Sequence, residues 1–206
     1  MKKRYGNAKT TLNFSNDYEA LVSIVLSAQS TDISVNKVTP ALFKKYPDTK
    51  SLKKAKLSDL ESIIKSLGLY HNKTKSLQKL ALCIENDYFG TIPSDRETLQ
   101  KLPGVGEKVA GVYLLEILII PSIPVDTHVG RVSARLGYTE VNDSPKMKEK
   151  KLEKAFPKED WIFIHHALIY FGRDICQAKN PKCFECPLKD ICHHFKKCSS
   201  IIGKKS

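Results

Sequence analysis

Apolar positions recur along the chain at helical spacing, and nowhere do they alternate convincingly as a half-buried strand requires. The first strong run is Leu21, Val22, Ile24, Val25 and Leu26. It is apolar on most sides and follows Asn16-Asp17-Tyr18-Glu19, a capping residue three positions before an acid. Such a helix belongs at the centre of a core. A second helix begins at Thr31 and carries Val35, Val38, Leu42 and Phe43 on one face, with Pro40 positioned to kink or restart it. Amphipathic stretches continue at 57–67, 73–88, 95–102, 107–119, 127–136, 146–155 and 160–171. Between them lie Tyr46-Pro47-Asp48, Phe89-Gly90, Pro103-Gly104 and Asn142-Asp143. The β-branched pair Ile123 and Val125 is split by Pro124, which argues against a central strand. The pattern predicts an all-α fold, and the segment Ile120-Pro121-Ser122-Ile123-Pro124 interrupts the helices where two packing units could join.

Composition narrows the partner. With 206 residues, 41% hydrophobic and 27% charged, the chain can bury a sizeable core and is not a disordered polymer. Thirty-four Lys and Arg against 22 Asp and Glu leave a net charge of +12, which favours a polyanionic partner, nucleic acid or an anionic membrane. No membrane partner is expected: the longest uninterrupted apolar stretch, Val109 to Leu115, stops at Glu116, whereas a spanning helix needs roughly 20 residues. Met1-Lys2-Lys3-Arg4 runs on into polar Gly6-Asn7-Ala8-Lys9-Thr10, without the apolar core of a signal peptide. The expected location is the cytoplasm (the nucleoid if the source is bacterial), where thiols stay reduced.

Leu102-Pro103-Gly104-Val105-Gly106-Glu107-Lys108 lies between two amphipathic stretches. Proline ends the first helix, the glycines permit a tight turn, and the next helix begins with free N–H groups that suit a phosphate oxygen. Gly104, Val105 and Gly106 therefore form a candidate helix-hairpin-helix contact with a DNA backbone, against the alternative of a plain interhelical turn. Lys108 falls in the first turn, the unfavourable end of the helix dipole for an ammonium. Partial desolvation would favour the neutral amine, the nucleophile of Schiff-base chemistry; a lysine that only contacts phosphate fits the motif equally well.

Val125-Asp126-Thr127-His128-Val129 opens another helix. Asp126 reads first as its N-cap, and alternatively as a carboxylate that stabilises developing positive charge. His128 could hydrogen-bond a substrate or serve only the structure, and the adjacent His165 and His166 do not share a metal-binding face. Cys83 stands in an apolar context as a small core residue and Cys198 lies in the tail. Cys176, Cys183, Cys186 and Cys192 form a C-x6-C-x2-C-x5-C set whose unequal spacing suits a [4Fe–4S] cluster better than zinc. His193 and His194 leave zinc open. Lys179 and Lys182 flank Pro181 between the first two cysteines, either set against phosphates or simply solvated.

These three signals in this order resemble the endonuclease III family, DNA glycosylases of the helix-hairpin-helix and Gly/Pro-rich loop–Asp superfamily. The resemblance covers nearly the whole chain and includes Val25-Leu26-Ser27-Ala28-Gln29-Ser30-Thr31-Asp32 and Leu67-Gly68-Leu69-Tyr70-His71-Asn72-Lys73. It implies a two-lobed all-α architecture: a six-helix barrel containing the helix-hairpin-helix over 12–121, and a cluster lobe made of 1–11 and 122–206. It implies a monomeric bifunctional enzyme that excises oxidised pyrimidines from double-stranded DNA and nicks the abasic site by β-elimination. Lys108 matches the nucleophile that attacks C1′, and Asp126 the carboxylate that assists base departure. Gln29 and Leu69, with Leu67 nearby, match residues that fill the gap left by a flipped nucleotide. The four cysteines match the [4Fe–4S] ligands. Adenine-removing relatives lack the lysine, so this chain is not expected to be one of them.

Two features depart from the family pattern. Only about a dozen residues precede Asn13-Phe14-Ser15, where relatives carry a longer helix, so the cluster lobe is expected to be less stable or the recorded start displaced. Gln100 stands where many relatives have an acid near the lesion pocket, which touches substrate preference. The rival reading is a noncatalytic helix-hairpin-helix DNA-binding protein with a structural metal cluster. An iron–sulfur electron-transfer protein would explain the cysteines but neither the hairpin nor the charge.

Overall fold

The computed structural model describes residues 1–202, with side chains through residue 197; Cys198 lies outside the residues whose side chains are described. Twelve α-helices and no strand occur among them: α1 (Lys2–Tyr5), α2 (Asp17–Ser27), α3 (Asp32–Lys45), α4 (Thr49–Lys53), α5 (Leu57–Ile64), α6 (Tyr70–Asp87), α7 (Arg96–Leu99), α8 (Glu107–Ile117), α9 (Thr127–Leu136), α10 (Pro145–Ala155), α11 (Trp161–Asp174) and α12 (His193–Ile202). The all-α expectation holds. Pro40 neither breaks nor restarts α3, which runs through it; it lies on the exposed face, where water can satisfy the Asn36 carbonyl it leaves without a donor. No described helix is long and apolar enough to cross a membrane.

The chain divides into two compact units. The first is Thr10–Ile120. Its α2 is buried from Ala20 through Leu26 and packs against α3, α6 and α8, while α4 and α5 pack on α6. Asn16 caps α2 by accepting from the Glu19 N–H at 2.9 Å, and the Glu19 carboxylate accepts from Ser15 N rather than from the cap residue itself. Thr31 caps α3 and Asp48 forms a reciprocal capping box on α4. Leu42, Leu52, Leu60, Ile64, Leu77, Leu80, Leu99 and Tyr113 fill the core, with Cys83 partly buried at its edge.

The second unit comprises Met1–Lys9 and the chain from Pro121 on. Its core is smaller, built from Tyr5, Ile123, Val129, Val132, Leu152, Leu168, Phe171 and Ile175. The single turn of α1 is enough to dock: Tyr5 stacks edge-on against Phe171, and its hydroxyl donates to Asp174 at 2.9 Å, beside the Arg4–Asp174 ion pair. His165 and His166 are buried on α11, where burial pushes His166 down to about 4.

Candidate functional site

In the first unit, Leu102 and Val105 anchor the turn into α8: the Val105 N–H donates to Leu102 O at 3.0 Å, and both side chains are buried. Gly104 has φ +81, and a Cβ there would stand 3.2 Å from Ser76 Cβ. Conformation and close approach therefore both require glycine. Gly106 is the extended N-cap of α8, makes no side-chain cap, and has open space where a Cβ would stand. The first N–H groups of α8 are thus left for an incoming acceptor. Val105 turns its side chain into the core and its N–H is taken by Leu102 O, so the expected Val105 donor to a phosphate is already used. Lys108 is the second residue of α8 and is exposed, so the desolvation invoked for a nucleophile is not supplied by the protein's own burial.

Two further turns in this unit have unusual backbone. Gln29 (φ 54) and Leu69 (φ 57) both occupy the left-handed region, sparsely populated by residues with a Cβ. Each presents an exposed side chain, Leu69 at 55%. Leu67, two positions before Leu69, is 3% exposed and packs in the core, so its side chain is not available to fill a gap in a duplex. Gln100 is exposed at the C-terminus of α7.

In the second unit, Asp126 caps α9, with Oδ1 accepting from the Val129 N–H at 2.7 Å, and is half-buried. Cap and chemistry are compatible, because the second oxygen is not used by the cap. His128 lies in the first turn. Burial, the largest influence, pushes its imidazole down; Asp126 pulls it up, while Arg131 and Arg173 push it down again. Its Nδ1 stands 3.1 Å from Arg131 Nη2, and a hydrogen bond to the Gly172 backbone pulls the imidazole up.

Cys176, Cys183, Cys186 and Cys192 are all free thiols and line one partly open cavity together with Leu136, Phe171 and Ile175. Burial pushes the Cys183 thiol up, and Cys176, Cys192 and Cys186 push the same way, since neighbouring thiolates repel one another. Among the described residues no three donors are grouped tightly enough for a single metal ion. Four thiols around one cavity are the donor chemistry that an iron–sulfur cluster takes. His194 also lines the cavity, while His193 packs against Gly137.

Arg131 and Arg135 were not singled out by sequence reasoning, yet they hold this loop. Arg131 Nε donates to Cys176 O at 3.1 Å and Nη2 to Gly172 O at 3.0 Å. Arg135 Nη1 donates to Gln177 O at 2.6 Å and Nη2 to Ala178 O at 3.2 Å. Their four-residue spacing on α9, which places them on one face, was the available signal. Lys179 and Lys182 are exposed on either side of the Asn180 (φ 49)–Pro181 turn.

The pattern of the family described as HhH-GPD superfamily base excision DNA repair protein matches residues 22–158. Endonuclease III of Bacillus subtilis is 47% identical over 193 residues, 94% of this chain and 88% of that protein. Endonuclease III of Escherichia coli K12 is 37% identical over 188 residues, 91% and 89% of the two chains. A trapped endonuclease III–DNA covalent intermediate superimposes with a TM-score of 0.92 at 45% identity, over 96% of this chain and 93% of that one. A thermostable thymine-DNA glycosylase shares the fold, with a TM-score of 0.85 at 24% identity over 95% and 93% of the chains.

Proposed function

This chain belongs to the HhH-GPD superfamily of base excision DNA repair proteins, and from that premise we propose that it removes oxidised pyrimidines from double-stranded DNA and nicks the resulting abasic site. It is a DNA repair glycosylase and abasic-site lyase that binds DNA. The residue roles that follow are our reading. The Lys108 amine attacks C1′ of the damaged nucleotide and the base leaves with the glycosidic electron pair. Asp126 stabilises the positive charge that develops on the sugar. The nitrogen loses a proton and its lone pair expels O4′, which takes up a proton, leaving a protonated C1′ imine. Removal of a C2′ proton then expels the 3′ phosphate, and water releases the lysine.

The observation that carries this reading is the exposed Lys108 amine at the uncapped start of α8, one residue after Glu107 and two after the open Gly106. Because Lys108 is exposed in the free protein, bound DNA must supply the desolvation that favours a neutral amine. Gly104 and Gly106 hold the backbone through N–H groups, Gln29 and Leu69 fill the vacated space, and His128, Lys179 and Lys182 supply further contacts. Cys176, Cys183, Cys186 and Cys192 would hold a [4Fe–4S] cluster, which would cross-link the loop carrying those lysines. The reading carries with it a monomer working in the cytoplasm.

The test is borohydride trapping on a duplex containing one thymine glycol. Wild type is expected to give a covalent adduct that Lys108→Ala abolishes, while Asp126→Asn lowers excision by about 100-fold or more. Salt-sensitive DNA binding with no adduct would favour the noncatalytic reading.

A further inference from the structure

Besides Lys108, a second lysine near the start of a helix stands where local forces oppose a charge. Lys73, in the first turn or so of α6, is 7% exposed, and burial holds its ammonium below the usual lysine range. A methionine of similar length would fill this space without desolvating a charge. The ammonium makes one specific bond, Nζ to Ser30 Oγ at 2.5 Å, and no carboxylate lies within ion-pair distance of it among the described residues. Ser30 directly follows Gln29, and the Lys73 N–H donates to Leu69 O at 3.0 Å. One residue therefore joins, by its side chain on one side and its backbone N–H on the other, the two turns whose Gln29 and Leu69 have left-handed backbone. The same turns also approach at Gly68, where a Cβ would stand 3.4 Å from the Gln29 carbonyl oxygen. Strained backbone of this kind persists only where its surroundings over-determine it.

We propose that Lys73 is a positioning residue for nucleotide extrusion: through Ser30 it clamps the Gln29 and Leu69 turns side by side, so that both side chains are set in advance to enter the space a flipped nucleotide vacates. This rests on the glycosylase reading above. Extruding a base from a paired stack demands that the replacing groups be in place, because any freedom left in them adds to the unstacking cost. A lesion that is unpaired from the outset makes far less demand on the clamp.

Single-turnover excision by the full chain is compared on a thymine glycol in a paired duplex and on the same lesion inside a three-nucleotide unpaired bubble. A 2-aminopurine opposite the paired lesion reports unstacking. Lys73→Met is expected to lower the paired-to-bubble rate ratio about tenfold and to delay the 2-aminopurine signal. Ser30→Ala lowers the ratio in the same direction, Lys73→Arg restores at least half of it, and the double variant Lys73→Met/Ser30→Ala is no worse than Lys73→Met. A ratio within twofold of wild type in both single variants overturns the proposal, and so do equal losses on the two substrates, the mark of general structural damage. Should Lys73→Met fail to fold, Ser30→Ala decides by the same ratio. Absence of excision by wild type on both substrates sinks the glycosylase reading itself and is seen before any variant is made.

Discussion

The unit from Thr10 to Ile120 and the unit that carries the four cysteines reach stability by different means. The first surrounds α2 with α3, α6 and α8 and buries a broad apolar core. Lys108, Gln29 and Leu69 stand exposed outside that core, the last two on left-handed backbone. The second has a smaller core, buries His165 and His166 beside it, and holds the loop that carries four thiols through two arginines. Small cores commonly depend on a metal or a cross-link. Its Asp126 is both helix cap and proposed catalytic carboxylate, so there function and fold draw on one side chain.

The largest effect expected from this contrast comes from the cysteines. Cys183→Ala in the cluster-loaded protein should destabilise the second unit by several kcal/mol, on the order of what a structural metal contributes to a small domain. Trp161, the one tryptophan of the chain, lies in that unit and reports it by fluorescence, while far-UV circular dichroism reads both units. An early tryptophan transition that leaves a large helical signal for a later step is expected. A single shared transition would break the comparison.

Acid should separate the units next. His166, pushed down to about 4 by burial, favours the neutral form in the folded protein. Its contribution is present above the ordinary histidine value of about 6.5 and is lost as pH falls toward 4, by at most about 3 kcal/mol. Glu116 in the first unit is raised to about 7, chiefly by burial and secondarily by Asp32. Its contribution is present below the ordinary carboxyl value and is lost as pH rises through about 7. Between pH 6.5 and 4.5 the tryptophan transition should therefore weaken while the other unit gains, and Glu116→Gln should remove that gain. Parallel weakening of both would contradict the opposite signs.

Smaller effects sharpen the contrast at the two proposed catalytic residues. Asp126→Asn should keep the α9 cap and change stability by under about 0.5 kcal/mol, while Asp126→Ala costs about 1 kcal/mol, as measured by denaturant unfolding. Lys108→Ala should leave stability within about 0.5 kcal/mol or raise it slightly, because it removes an exposed ammonium from the unfavourable end of α8. A marked loss of stability in Lys108→Ala would mean that the lysine serves the fold of the first unit after all.

Much of this architecture was legible before folding was considered. The central helix, its Asn16 cap, the turn before α8 and the Asp126 cap are written in neighbouring residues. The short helices α1 and α4 were not, because one turn of helix has no readable period and exists only through docking. Leu67 and Leu69 look equivalent in sequence, yet one is core and the other exposed, since the chain turns left-handed between them and α6.

By itself the sequence determined that this protein is helical and basic, that it belongs to a DNA repair superfamily, and that four cysteines fall close together along the chain. Those conclusions rest on spacing, capping and motif order, which are properties of residues a few positions apart. Only the tertiary structure decided that Lys73 is the buried lysine and Lys108 the exposed one, that Val105 and Leu67 turn inward, and that Arg131 and Arg135 hold the cysteine loop. Burial and desolvation depend on which distant segments pack together, and no local pattern carries that information.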